Sequence, residues 1–248
     1  MRGLILAVQF LTRLPTPTVT DFRPEALSRS VVWFPLVGLL IGGLVCLAVW
    51  LGARIDPWLG ALAGLAAWVW LTGALHLDGL ADLADALGAA HRDRERLLSV
   101  LADPHVGVFG VVAVVMQLIA KLILLMLAAR LELYWVVCLA PAWARLGVLA
   151  WCRLPPLKPG LGERYAWRVS GWLAGAWLLA LLAAGLLATG LQAVATLAAP
   201  VAILAWYFHL KRKLGGMTGD ALGAGVEVTE TTILSAGVAL AGIQTMLV

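Results

Sequence analysis

Apolar residues in this chain run in long unbroken stretches, without the strict alternation of a half-buried strand. Seven stretches, near residues 31–53, 58–75, 106–129, 133–151, 170–189, 191–209 and 229–248, approach the roughly 20 residues an α-helix needs to cross about 30 Å of hydrocarbon. In lipid every backbone N–H and C=O must find its partner within the same segment, so such runs predict helices. The predicted fold class is all-α, a polytopic membrane helix bundle of about seven transmembrane helices forming one domain over residues 1–248. The 58–75 stretch is short and extends into the polar segment behind it. Leu4 to Leu11 form a further apolar run, but Arg13, Pro15 and Pro17 follow where a cleavable leader would place small residues. This run is expected to be a retained interfacial helix.

Composition sharpens the picture. The chain is 62% hydrophobic and only 13% charged, with a mean hydropathy of +0.94, well outside the range of soluble domains. Twelve Trp and 26 Gly suit interfacial anchoring and close helix packing. With the N-terminus inside, fourteen Lys and Arg fall in cytoplasmic segments; only Arg54 and Arg130 fall outside, and Lys121 and Arg145 lie within spans. That asymmetry predicts a multi-pass protein of the plasma membrane, or inner membrane, with a cytoplasmic N-terminus and three long cytoplasmic loops. The net charge of +4 therefore reports orientation, and membrane lipid rather than nucleic acid is the expected partner. Cys46, Cys138 and Cys152 are isolated from one another and read as small core residues.

Candidate chemistry begins at His76-Leu77-Asp78-Gly79-Leu80-Ala81-Asp82-Leu83-Ala84-Asp85. At 100° per residue Asp78, Asp82 and Asp85 fall within about 60° of one another, opposite Leu80, Leu83 and Leu87. Three carboxylates on one face repel and call for a cation. Oxygen ligands without thiolates point to Mg²⁺, or Mn²⁺, whose usual task is to hold phosphate oxygens. The alternative is an amphipathic loop helix with incidental acids. Asp103, just before the third span, is either a further ligand or a helix cap. His76 and His105 are phosphate or metal ligands, or interfacial hydrogen-bonders.

A second cluster is Gly215-Gly216-Met217-Thr218-Gly219-Asp220, continuing to Gly223, Glu227 and Glu230. Glycines let backbone approach a ligand closely, and on a helix Asp220 and Glu227 project within about 20° of each other. Gly216, Thr218 and Gly219 are thus candidate substrate contacts, and Asp220 and Glu227 candidate metal ligands; an ordinary turn between helices is the competing reading. Arg145 lies near the inner end of its span, within reach of a phosphate, whereas Lys121 lies deeper, where pairing or snorkelling competes with substrate binding. Lys211 and Arg212, with Lys213, suit a diphosphate or a positive-inside anchor equally well. Walker, dinucleotide-fingerprint, nucleophile-elbow and zinc-protease patterns are absent from the sequence.

Taken together, His76-Leu-Asp-Gly-Leu-Ala-Asp82-x-x-Asp85, Asp103-x-x-x-Gly107-x-x-Gly110 and Gly215-Gly-x-Thr-Gly-Asp220-x-x-Gly223-x-x-x-Glu227-x-x-Glu230 resemble the cobalamin synthase (adenosylcobinamide-GDP ribazoletransferase) family. Phe10-Leu-Thr-Arg13-Leu-Pro15, Phe34-Pro35-Leu36-Val-Gly38, Lys121, Arg145 and Gly160-Leu-Gly162 extend the likeness over nearly the whole chain. The resemblance implies a Mg²⁺-dependent inner-membrane enzyme with a cytoplasmic active site. It would join adenosylcobinamide-GDP to α-ribazole or its 5′-phosphate with release of GMP. Asp78, Asp82 and Asp85 would be catalytic; these three with Asp103, Asp220 and Glu227 would hold metal. Arg13, His76, Lys121, Arg145, Lys211, Arg212, Gly216, Thr218 and Gly219 would bind substrate. A homo-oligomer, or contact with other enzymes of the same pathway, is compatible with this picture. Leu83, Ala86 and Ala102-Asp103-Pro104-His105 depart from the family pattern, the last at the cost of two positive charges, which shifts expected phosphate binding toward Arg145 and Lys211 to Lys213. A CDP-alcohol phosphotransferase is the alternative enzyme, but no Arg follows Gly79 at its spacing. A cation-coupled transporter would carry acids near the midplane in repeated halves, and no internal repeat is present in the sequence.

Overall fold

The computed structural model describes residues 2–19, 24–90, 93–157, 170–187 and 197–247. Within these the chain forms α1 (Arg2–Leu11), α2 (Pro24–Ser30) with a 3-10 turn leading into α3 (Phe34–Ala53), α4 (Pro57–Thr72), α5 (Leu75–Ala90), α6 (Arg94–Val100), α7 (Val108–Arg130), α8 (Tyr134–Trp151), α9 (Gly171–Leu186), α10 (Ala198–His209), a π-helical turn (Leu210–Leu214) and α11 (Gly219–Leu247). The chain is an all-α polytopic membrane bundle; among the described residues the one extended pairing is an isolated bridge between Pro156 and Met217.

Local signals explain several boundaries. Asp56 caps α4 by accepting the N–H of Trp58 and Leu59 at 2.8 and 3.3 Å, with Pro57 at the first helical position. Gly73 ends α4 in the left-handed region with φ 60°, and Ala74 follows at φ 61°. Those two residues turn the chain so sharply that α5 leaves α4 at 85°. The Asp-bearing segment, read from the sequence as the tail of the second span, is therefore a separate helix folded back against the bundle.

The expected seven spans are not all realised at full length. Four helical stretches are long and apolar enough to cross a membrane, Ser28–Ala53, Val108–Arg130, Tyr134–Trp151 and Gly219–Gln244, or up to five if α4 and α5 count as one broken span. The predicted 170–189 stretch is the 16-residue α9, and the first part of 191–209 lies outside the described residues, leaving the 12-residue α10. The last helix starts ten residues earlier than the apolar run at 229–248 suggests, at Gly219, because its acids are neutralised inside the bundle.

Helix α8 occupies the centre, with Trp143, Arg145, Leu149 and Trp151 fully buried. Its approach to α3 depends on missing side chains: a Cβ added to Gly42 would lie 1.9 Å from the carbonyl oxygen of Cys138. Helix α7 is different. Val111, Val112, Val115, Met116, Ile119 and Ile123 stand exposed along it, a surface suited to lipid rather than water. At the opposite chemical extreme, the polar segments gather at one end. Met217 N–H donates to the Pro155 carbonyl at 2.9 Å and Leu157 N–H to the Met217 carbonyl at 3.0 Å, strapping the loop before α11 to the loop after α8.

Candidate active site

Helices α5 and α11 cross at Gly79. A Cβ there would lie 2.7 Å from the carbonyl oxygen and 3.0 Å from the Cα of Asp220, and Gly223, one turn further along α11, faces His76 and Gly79. Two segments some 140 positions apart in sequence thus meet backbone to backbone, a distance of approach that side chains on either helix would prevent. Asp78 is exposed beside this crossing, and Asp82 and Asp220 are half-buried. Thr218 begins α11, its hydroxyl accepting the Ala221 N–H at 3.1 Å, as a helix cap does. Gly216 is buried under the Pro155 carbonyl, which an added Cβ would approach to 2.3 Å, so packing alone requires a glycine here. Gly219 is exposed at the helix start.

Asp85 is placed differently from its two neighbours. Its carboxylate accepts the N–H of Gly107 at 2.7 Å and of Gly110 at 2.8 Å, satisfying donors that the first turn of α7 leaves without intrahelical partners. The side chain is buried, and a Cβ on Gly107 or Gly110 would strike it at 2.5 or 2.3 Å. The Gly-x-x-Gly spacing before α7 is thereby accounted for: it admits a carboxylate from α5.

Asp103 stands on an exposed turn, where its Oδ1 accepts the His105 N–H at 3.0 Å and lies 2.7 Å from the ring Nδ1. Those bonds to the charged form hold the Asp103 carboxyl below the usual carboxylate range. Among the described residues no three or more His, Cys, Asp or Glu side chains stand grouped as a metal nest, so the six expected ligands do not form one cluster.

The second charged constellation lies inside the bundle. Lys121 on α7 pairs with Glu227 at 2.8 Å and Glu230 at 2.5 Å on α11, and its ammonium sits 4.3 Å from the ring centre of Trp68 on α4. Arg145 on α8 donates to the other oxygen of Glu230, donates to the Pro141 carbonyl at 3.2 Å and lies 3.4 Å from His76 Nδ1. Two bases and two acids cancel, which is the condition on which charges are tolerated in so dry a place. The sequence puts Arg145 within reach of a phosphate and leaves Lys121 open to pairing as well as to substrate; in this structure both charges are matched by glutamates.

Of the remaining expected contacts, Arg13 donates its backbone N–H to Leu71 at 2.8 Å, and its side chain lies against Gly73 at the α4–α5 bend. Lys211 and Arg212 are exposed on the π-helical turn. Arg212 and Lys213 border a cleft of about 440 Å³ whose apolar wall includes Leu87, Leu97, Leu98 and Leu157. Gln117 went unnoticed in the sequence. Its amide nitrogen lies 2.8 Å from Glu227 Oε2, 3.0 Å from the Glu227 carbonyl and 2.8 Å from the Thr231 hydroxyl. A lone amide one helical turn before Lys121 in an apolar run was the available signal.

Comparison with known proteins bears on this arrangement as a whole. The family model described as cobalamin-5-phosphate synthase matches residues 3–238. Proteins named adenosylcobinamide-GDP ribazoletransferase are similar over almost their full length. The one from Thiobacillus denitrificans is 55% identical over 97% of both chains; that from Laribacter hongkongensis is 56% identical over 94% of this chain and 95% of its own. The one from Novosphingobium aromaticivorans is 50% identical with the same coverage. No solved structure matches. With both motif segments meeting at one helix crossing and the likeness running nearly end to end, the chain belongs to the cobalamin-5-phosphate synthase family.

Proposed function

We propose that this chain is an adenosylcobinamide-GDP ribazoletransferase acting late in cobalamin synthesis at the cytoplasmic face of the inner membrane. A ribose hydroxyl of α-ribazole, or of its 5′-phosphate, attacks the cobinamide-side phosphorus. The new P–O bond forms as the diphosphate bridge breaks, GMP leaves with the bridging oxygen, and the hydroxyl proton passes to a carboxylate. The observation that carries this reading is the α5–α11 crossing, where Gly79 touches the Asp220 backbone and Asp78, Asp82 and Asp220 flank one polar end of the bundle.

Asp82, half-buried on α5 one turn beyond the Gly79 crossing, takes the proton. We assign Asp85 to holding the start of α7 instead, since each of its oxygens already accepts a backbone N–H group there. Asp78, Asp82 and Asp220 do not converge as a three-carboxylate nest, but Mg²⁺ uses only one or two protein carboxylates and completes its shell with water and substrate phosphate, so one or two of these hard-oxygen donors fit it. These residues would hold it; when bound, it would neutralise the diphosphate and departing GMP. Arg13 at the bend, and Lys211 and Arg212 on the π-helical turn, supply exposed cations for the substrate's phosphates.

The test is GMP release from adenosylcobinamide-GDP by purified, detergent-solubilised protein given α-ribazole and Mg²⁺. Wild-type protein turns over, and Asp82→Asn loses about 10²–10⁴-fold in kcat, the usual contribution of a positioned base. No turnover by well-folded wild-type protein with both substrates present contradicts the proposal.

A further inference from the structure

Glu230 and Gln117 have no part in the transfer chemistry above, yet they anchor the most buried polar network in the described molecule. We infer that Lys121 and Arg145 are the counter-ions of Glu227 and Glu230, and that the ladder Gln117–Glu227–Lys121–Glu230–Arg145 makes Glu230 and Gln117 positioning residues that set how α11 meets α5.

Space argues against a phosphate at these cations. Lys121, Glu227 and Glu230 are at most 4% exposed and Arg145 is fully buried. The cavity bordered by Trp68, Lys121 and Glu227 measures about 10 Å³, room for at most a single water. Charge argues the same way. Two bases face two acids, and a phosphate brought among them would add negative charge to a group that is already balanced.

Geometry connects the ladder to the site. Asp220, Gly223, Glu227 and Glu230 follow one another at intervals of three, four and three residues, so they share one stripe of α11. The upper half of that stripe, Asp220 and Gly223, touches α5. The lower half is gripped by α7 through Gln117 and Lys121 and by α8 through Arg145. Rotation of α11 about its axis cannot change at Glu230 without changing at Asp220. His76 closes the loop: it stands on α5 one turn before Gly79, 3.4 Å from Arg145.

The functional half of this inference rests on the transferase reading; the structural half does not, and the experiment separates them. Full-length protein in detergent is unfolded thermally as wild type, Lys121→Met, Glu227→Gln and the double variant. Lys121→Met leaves Glu227 buried without its cation and lowers the melting temperature. Lys121→Met/Glu227→Gln, which leaves the Arg145–Glu230 pair intact, recovers most of that loss. Kinetics then test positioning: Gln117→Leu keeps every charge yet lowers kcat by about tenfold or more, as small misplacements do. KM for both substrates stays within about twofold, since no substrate contact is lost. A double variant no more stable than Lys121→Met overturns the counter-ion assignment. So does a stable Lys121→Met with raised KM for adenosylcobinamide-GDP and intact kcat. A Gln117→Leu variant with wild-type kcat overturns the positioning role. Absence of GMP release from wild type would count against the transferase reading alone, because the unfolding comparison needs no substrate.

Discussion

At the scale of single residues, Asp85 shows how one stripe can hold two kinds of carboxylate. Asp78 is exposed and Asp82 half-buried, while Asp85, one turn on, binds the amides that begin α7. Removing it in Asp85→Ala leaves two N–H groups without an acceptor and costs about 1–3 kcal/mol for each that stays dry; thermal unfolding in detergent reads this as a lowered melting temperature. Ala74 offers the reverse case. Its φ of 61° suits glycine, so Ala74→Gly raises stability by up to about 1 kcal/mol. The Asp103 carboxyl is held low by His105, so whatever this turn adds to folding is present above the ordinary Asp pKa and lost as pH falls through the lowered one. The helical period placed the three acids of α5 on a common stripe. It could not say which neighbour arrives there, because the amides of Gly107 and Gly110 come from a helix more than 20 residues away. The same gap hides the partners of Lys121: pairing is among its readings, but nothing local names Glu227 and Glu230.

At the scale of elements, the α5–α11 crossing depends on Gly79. Gly79→Val puts side-chain atoms into the Asp220 backbone, where even a Cβ has only 2.7 Å, and forces the helices apart. Turnover should fall by about 10²-fold or more, since the cost is paid in the geometry of the carboxylates, while circular dichroism still reports a helical protein. Element existence was largely legible in the sequence, since every predicted apolar stretch has a helix within the described residues. Lengths were less so. The boundary between α4 and α5 is set by two positive φ values that an Ala in the second position does not advertise. Helix α11 begins at Gly219 because its acids find partners on α7 and α8, a tertiary compensation that a hydropathy window cannot register.

At the scale of the whole molecule, the chain divides its surfaces between two solvents. The outward faces of α7 and α10 are apolar and exposed, while the strap at Pro155–Leu157 and Met217, the α5–α11 crossing and the basic turn Lys211–Lys213 collect at one polar end. In the orientation we propose from the lopsided distribution of Lys and Arg, that end faces the cytoplasm. Single cysteines at Asp103 and Lys211 in a background lacking Cys46, Cys138 and Cys152 should therefore react with a membrane-impermeant maleimide only after cells are opened, whereas one at Arg54 should react in intact spheroplasts.

The central claim, that carboxylates from α5 and α11 form one catalytic site, is tested most directly by comparing GMP release from purified Asp82→Asn and Asp220→Asn. Both variants should remain folded and both should lose turnover by about 10²-fold or more. Full turnover by Asp220→Asn alongside an inactive Asp82→Asn would mean that the two helices touch without sharing the chemistry.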